Sequence, residues 1–487
     1  MDQMALTAAW GDVASAEDSH AAMARTLTWL QGKIPDFPFY GMEELGYIDV
    51  PLSVVPVGQG DVLDRLFTPD NALQISVQRK FAGDQLQGYR LCASGCVGIM
   101  AVGDPSSDAR FATVIVNPKV PGASVLTMLS YALVPHLSHE QRAQIDVKHA
   151  HFVSLIVLMY LLRLEQMIRE HGLQRAYIEL QEELRGTVRG QCLLAPYLGR
   201  NVPIGKAHIV PCRFWELRVD SEPNRALRWG IEVCRVLAEW LSQPDLIDCV
   251  EALWNAFAPH FAGIPVVPYQ ASQVRRLSRS GRFAPYESVF ELLEFLLDNL
   301  SFDTVAGQVR VKSFSVEMWQ VFERFVVNVL ARRMRGLIQG PQVKFCYQVK
   351  EGETILQSNS IFLDALIQGP RRLVLDAKWK EGIVAYARPD RDSDVLHLEG
   401  LHIRNADLFQ VIAYGMHQDV QAQGGVLVYP VLEPETVCRQ RCILNFGGNH
   451  PFPVYLVGIP VGETLHQAID DFVGVIEGIS QTPADLL

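Results

Sequence analysis

The segment "FLDALIQGPRRLVLDAKWK", residues 362–380, sets Asp364, Asp376 and Lys378 into a run that is otherwise largely apolar. Gly369 and Pro370 supply turn chemistry at its middle. An antiparallel hairpin centred on residue 370 places Asp364 directly opposite Asp376, with Cβ atoms about 4.5 to 5.5 Å apart. The alternation of a strand carries Lys378 to the same face. Leu363, Ala365, Ile367, Leu373, Leu375 and Ala377 make up an apolar second face. Two facing carboxylates in a buried hairpin are costly unless they are protonated or neutralised by a cation. Mg2+ suits them, being a hard ion that takes carboxylate oxygens and keeps several waters. Such an ion polarises a phosphate and acidifies a bound water. Lys378 would orient that water or stabilise charge on the phosphorus. The chemistry is metal-assisted phosphodiester hydrolysis; the competing reading is a surface hairpin whose charges merely pair with one another.

A D-x-K triplet alone says little. Asp146-Val147-Lys148 in "RAQIDVKHAHF" is another, and it reads as a solvated helix start with no opposed carboxylate. Further residues bear on the hairpin. Glu323 lies mid-helix in "VFERFVVNVL", among Phe322, Phe325, Val326 and Val329. It is either a third metal-site carboxylate or a surface acid paired with Arg324 or Arg333. Gln410 and Tyr414 share one face of a helix, with Asp407 a turn earlier. They could position a phosphate or the lysine, or they could be a helix-start acid and ordinary packing.

The elements that must hold these groups follow from periodicity. Residues 1–85 are weakly patterned, and Ala72 to Pro118 alternate as a small β-rich module. Helical period then dominates over 123–137, 150–185, 222–243, 246–260 and 286–299. Beyond residue 305 come a helix, "SFSVEMWQVFERFVVNVLARRMRG", and three strands, "QVKFCYQVK", "SIFLDALIQ" and "RRLVLDAKW". A charged insertion over 381–400, a helix "NADLFQVIAYGMHQ" and a strand "GGVLVYPV" complete an α/β unit with a mixed sheet. The expected class is multidomain α+β: an extension 1–85 of open role, a β-rich then helical region 86–305, and an α/β domain 306–487.

The 487 residues, 49% hydrophobic and 20% charged, allow two or three domains with real cores. The N-terminus lacks a basic stretch followed by an apolar one, and "FVSLIVLMYLL" is too short to span a bilayer, so a buried helix and a cytoplasmic chain are expected. Nine scattered cysteines fit reduced thiols. The pairs Cys92/Cys96 and Cys438/Cys442 would each be half a zinc site, without a nearby pair to complete it. A net charge of −11 argues against holding nucleic acid by overall electrostatics. The basic islands "RRLSRSGR", "ARRMR" and Arg371/Arg372 read first as solvated surface.

Taken together, "FLDALI…LVLDAKWK…ADLFQVIAYG…VLVYP" resembles the PD-(D/E)xK nuclease domain of the McrC family, the endonuclease subunits of McrBC modification-dependent restriction systems. "GCVGIM…ATVIVNPKV…LTMLSYAL" is similar to the family's N-terminal segment, and "LQRAYIELQEELRGTVRGQ…VPCRFWELRVDSEPNRALRWGIEV" to its middle segment. In the latter, Arg189-Gly190, Cys212, Phe214, Glu216, Asp220 and Asn224 fit the family's residue types. The resemblance spans about residues 85 to 432. It implies that Asp364 is the first acid, Asp376 and Lys378 the (D/E)xK pair, Glu323 the acid of the first helix, and Gln410 with Tyr414 a Q-x3-Y element. Asp364, Asp376 and Glu323 would hold Mg2+, with Mn2+ able to substitute; Tyr414, Asp407 and Lys380 would be auxiliary or DNA-contacting. Leu363 stands where the family usually has proline, and Ala377 where threonine is more usual; neither removes a ligand.

The resemblance also implies a role in anti-phage defence, double-stranded DNA as substrate, and a hexameric GTP-hydrolysing AAA+ motor, McrB, whose hydrolysis the subunit stimulates. The chain itself has no G-x4-GK[ST] loop. Two other classes stay open: a non-catalytic adaptor that activates the motor, and a standalone structure-specific nuclease.

Overall fold

The computed structural model describes residues 39–44, 46–51, 73–103, 110–133, 152–241, 244–305, 308–348, 355–379, 395–398, 401–431, 437–444, 452–462 and 465–481. The chain forms two compact units, residues 1–153 with 312–487, and residues 154–311. The β-rich stretch after residue 85 therefore belongs with the C-terminal α/β part, whereas the sequence reading grouped it with the helices.

In the first unit, strands Phe39–Glu43, Arg110–Asn117, Cys96–Gly103 and the end of Gln308–Glu317 lie side by side. Met42, Leu73, Leu91, Val114 and Val116 form the core there. A six-stranded sheet follows in the order Leu337–Gln339, Ala365–Gln368, Arg372–Ala377, Gly425–Val431, Phe452–Pro460, Cys438–Leu444. The middle three strands are parallel and the outer pairings antiparallel. The sheet is mixed, as the sequence predicts, but Gln342–Gln348 lies outside it, and Leu337–Gln339, Cys438–Leu444 and Phe452–Pro460 are strands the sequence reading did not name. Gly425–Val431 and Phe452–Pro460 are buried along their whole length, as parallel strands covered on both faces are. Helix Asn405–Gly415 packs Leu408, Val411 and Ile412 among Leu366, Val374 and Leu427. Helices Met318–Arg333 and Leu465–Gln481 lie against strands of the same sheet and against each other.

The stretch "SIFLDALIQ" is not one strand. Ile355–Phe362 pairs with Gln342–Gln348 as a separate hairpin, and the chain bends at Leu363 and Asp364 before Ala365–Gln368 enters the large sheet. Leu363 donates its N–H to Pro341 O and Gly340 donates to Asp364 O, each at 3.1 Å, so the bend keeps its backbone satisfied. Within the charged insertion and just beyond it, Val395–Leu398 and Leu401–Arg404 pair as a hairpin.

The second unit is largely helical, with Phe152–His171, Glu222–Leu241, Pro244–Phe257 and Glu287–Asp298 around buried Tyr160, Trp229, Tyr286 and Phe290. The helix expected over 150–185 stops at His171, and "AYIELQEELR" is a strand, Ala176–Arg185, as its alternation allows. It pairs with Ile209–Arg218, and Gln191–Cys192 joins on the far side. The middle-segment residues named above build this arm. Arg189 lies 4.3 Å over the Phe214 ring and 3.2 Å from Glu216. Gly190 has φ +67°, and a Cβ there would stand 2.4 Å from Arg213 O. Asn224, fully buried, donates to the carbonyls of Gln174 and Val219 and accepts from the Tyr286 hydroxyl. "FVSLIVLMYLL" is buried helix as expected, and no helix among the described residues is long and apolar enough to cross a membrane.

Candidate active site

Ala365 faces Leu375 and Leu366 faces Val374, the register that brings Asp364 and Asp376 to the same end of the hairpin. The apolar face read from the alternation is buried except at half-buried Ala377, and Leu366 and Val374 on the charged face are buried too. Asp364 sits on the bend, where its Oδ2 accepts the Ala377 N–H at 2.7 Å. The bend lets the carboxylate cap the end of the neighbouring strand, which a continuous strand would not. Asp376 is 2% exposed. Lys378 carries the strand pairing one step further through its N–H to Val428 O at 2.8 Å.

The lysine is held from two sides. Its Nζ lies 2.6 Å from Asp376 Oδ2 and 3.0 Å from Gln410 Oε1. Gln410 Nε2 in turn donates to the Tyr414 hydroxyl at 2.7 Å. Of the two roles open to this helix face, its geometry is that of positioning the lysine. Tyr414→Phe would free the Gln410 amide to rotate; the expected result is a shifted Lys378 ammonium resonance, with stability lowered by no more than about the 0.5 to 1.5 kcal/mol worth of one hydrogen bond. NMR of the lysine side chains and thermal denaturation check it.

Glu323 is half-buried on helix Met318–Arg333, and Arg333 pairs instead with Asp470 at 3.0 Å. Asp407 lies in the first turn of helix Asn405–Gly415, as a helix-start acid, and is buried, with the Tyr429 hydroxyl 3.5 Å from its Oδ2. Burial pushes Asp364 up to about 7, and the charges of Asp376 and Glu323 add to the rise. Glu323 is raised by burial and then by Asp376. Tyr429 is raised by burial, then by Asp407 and Asp376. For Lys378, burial pulls downward, but Asp376, Asp364 and Asp407 outweigh it and hold the ammonium above its ordinary value. The pocket is thus short of positive charge. Among the described residues no three His, Cys, Asp or Glu side chains gather closely enough to make a ready-formed metal cluster.

The first two basic islands lie on the surface, as read: Arg275, Arg276, Arg282, Arg332, Arg333 and Arg335 are exposed, while Arg275 pairs with Asp298 and Glu294, Arg279 with Glu294, and Arg332 donates to Tyr131 O. Other residues resolve differently. Arg371 is neither solvated nor placed for a phosphate: it is 2% exposed and donates to the Tyr455 hydroxyl and to Gln423 O. The Cys96 thiol is buried, which pushes it up to about 11. Lys380, Asp146, Val147, Lys148 and the side chains of Cys438 and Cys442 lie outside the described residues. Trp379, beside the lysine, was not singled out by its sequence context. Its ring packs 5.4 Å from that of Phe322, and its Nε1 donates to Glu44 Oε1 at 2.6 Å.

Comparison with known proteins finds one family model, described as McrBC 5-methylcytosine restriction system component, matching residues 91–430. No curated protein matches the sequence. Among solved structures the fold is similar to a chain of the refined half-complex from the tetradecameric assembly of Thermococcus gammatolerans McrB AAA+ hexamers with bound McrC, with a TM-score of 0.51 and 16% identity. That match covers 91% of this chain and 100% of that one. A chain of the cryo-EM structure of the Thermococcus gammatolerans McrBC complex matches with a TM-score of 0.39 and 18% identity, over 60% of this chain and 87% of that one.

Proposed function

Since the chain belongs to the family of McrBC 5-methylcytosine restriction system components, we propose that it is the DNA-cutting subunit of such a system. On this reading it is a metal-dependent endonuclease of PD-(D/E)xK type, cytoplasmic, acting in defence against phage when a hexameric AAA+ GTPase engages it. The observation that carries the reading is the charged end of the hairpin, where Asp364, Asp376 and Glu323 crowd one another electrostatically and Lys378 is held between Asp376 and Gln410.

The chemistry of the donors suits a divalent ion, although among the described residues the carboxylates do not gather closely enough to make a ready-formed site. Burial raises Asp364 and Glu323 and neighbouring carboxylates add to the rise, a repulsion that positive charge relieves. Asp364, Asp376 and Glu323 would hold Mg2+, or Mn2+ in its place. When bound, the ion supplies Lewis acidity toward the phosphate and an acidified water. The chain's own part is positioning and charge. Gln410, fixed by Tyr414, directs the Lys378 ammonium, which offsets charge developing on the pentacovalent phosphorus. Asp376, then Asp364 and Asp407, hold that ammonium above its ordinary value against the downward pull of burial.

The partner reading rests on the solved relative, McrB AAA+ hexamers with bound McrC. Residues 86–305 would carry the docking surface, and the exposed Tyr177, Trp215 and Leu217 on the arm of the second unit support that placement. A net charge of −11 fits a subunit whose motor holds the double-stranded DNA.

One observation favours a second reading: among the described residues no ready-formed metal cluster is present, as a non-catalytic adaptor would have it. A supercoiled plasmid, the cognate motor, nucleotide and Mg2+ decide between the two. Cutting that needs all of them and stops with chelator supports the endonuclease. Stimulated nucleotide hydrolysis without cutting supports the adaptor, and cutting without the motor supports a standalone nuclease.

A further inference from the structure

Residue 44 lies well ahead of the stretch that matches the family model, 91–430, in a segment to which the sequence assigned no role. Glu44 is nonetheless fully buried. Its Oε1 accepts the Trp379 Nε1–H at 2.6 Å, across 335 residues of sequence. Its Oε2 makes no hydrogen bond of ordinary geometry among the described residues, although the backbone and charge of Lys119 act on the carboxylate. A buried carboxylate with one oxygen so poorly satisfied is expensive to keep, and a glutamine or an aliphatic residue would cost less. Burial pushes Glu44 up to about 7, against the lowering influence of Trp379 and Lys119.

What the carboxylate grips is the end of the strand that bears Lys378. Trp379 is the next residue, and its indole is fixed by Glu44 at the N–H and by Phe322 at the ring. Phe322 immediately precedes Glu323. A second tie runs alongside: Met318, the first residue of the helix carrying Glu323, donates its N–H to Gly95 O at 3.1 Å. Gly95 lies against Glu44, since a Cβ on it would stand 3.9 Å from Glu44 Oε1. Glu44 itself is anchored by its N–H to Asn117 O at 2.8 Å. One buried spot, where Glu44 of the N-terminal extension meets Gly95 of the β-rich module, therefore holds both the exit of the Lys378 strand and the start of the Glu323 helix.

We propose that Glu44 is a positioning residue for cleavage, holding Trp379 so that Lys378 and Glu323 keep their spacing at the hairpin end. The inference rests on the endonuclease reading above. A displacement of about 1 Å at reacting groups can cost on the order of 100-fold in rate, so a strand end left free to fray loses turnover while the fold persists.

The test uses the full chain with its cognate motor, nucleotide, Mg2+ and supercoiled plasmid. Glu44→Leu removes the acceptor, Trp379→Phe removes the donor and keeps a ring, and Glu44→Gln keeps an acceptor. The expected result is about a 10-fold fall in cleavage turnover for Glu44→Leu and for Trp379→Phe, with unchanged KM for DNA and unchanged stimulation of the motor. The double variant is no slower than either single, and Glu44→Gln retains most of the turnover. In protein labelled with 5-fluorotryptophan, the Trp379 resonance, assigned by its loss in Trp379→Phe, shifts in Glu44→Leu and far less in Glu44→Gln.

Wild-type turnover in both Glu44→Leu and Trp379→Phe overturns the inference. So does a parallel loss of turnover, motor stimulation and melting temperature, which would mark a purely structural contact. Lys378→Ala is the control that separates the two levels. If it abolishes cutting while Glu44→Leu does not, this inference alone fails; if it cuts like wild type, the site reading fails and this inference with it.

Discussion

On the endonuclease reading, Lys378→Ala and Asp376→Ala are each expected to lower plasmid cleavage by about 10²- to 10³-fold, the usual loss when a preorganised charge is removed from a reacting phosphate or oxyanion. The lysine is held by Asp376 and Gln410 rather than waving in solvent, so its ammonium acts from one place. Lys378→Met keeps the stem and isolates the charge; it falls as far as alanine if charge is the contribution. Removing the lysine also leaves Asp376, 2% exposed, without its ion pair, so thermal stability is measured in parallel. Phosphate release by the motor reports on docking and stays at the wild-type rate. Cleavage by these variants at the wild-type rate would remove the hairpin from the chemistry.

Arg371→Ala has the largest expected effect on stability. The guanidinium is buried, donates to the Tyr455 hydroxyl at 2.8 Å and to Gln423 O at 3.1 Å, and lies 5.5 Å from the Tyr455 ring centroid. Alanine removes one buried and one part-buried hydrogen bond from a charged donor, so a loss of roughly 2 to 4 kcal/mol is expected in denaturant unfolding. Arg371→Lys recovers part of it, since one ammonium cannot reproduce a planar fork. A phosphate-binding arginine would behave differently: its loss would leave stability alone and flatten the salt dependence of DNA binding.

What was legible in the sequence is what short-range periodicity records. Gly369 and Pro370 fix the turn, the turn fixes the register, and the register brings Asp364 and Asp376 to one end, as the pairing of Ala365 with Leu375 bears out. Part of the mixed sheet and of its helices follows from the same patterns. The bend at Leu363 and Asp364 was not legible, because the apolar runs Ile361–Leu363 and Ala365–Ile367 on either side of Asp364 read as one buried strand and neither glycine nor proline marks it. Its cause is a long-range hydrogen bond, from the Ala377 N–H to the Asp364 carboxylate. Arg371 misled for a similar reason: its neighbours are arginine and proline, while the partners that bury it come from 84 and 52 residues away. Asp407 read as a helix-start acid because its position on the helix is local information, and the facing Tyr429 hydroxyl is not. Glu44 gave no signal in a weakly patterned extension. Only the unusual burial of a lone carboxylate reveals it.

The first unit is made from two stretches of chain, 1–153 and 312–487. A ribosome that has finished strand Cys96–Gly103 must add about 200 more residues before the paired strand Gln308–Glu317 is complete. At roughly 5 to 20 residues per second, that wait is on the order of 10 to 40 s. Residues 154–311 form their own compact unit and are free to fold within the interval. The N-terminal β-rich module meanwhile has an open sheet edge, the kind of surface that invites mispairing and chaperone capture. The hairpin bearing Asp376 and Lys378 is translated later still, so in a newborn molecule the part proposed to cut DNA is among the last to be completed.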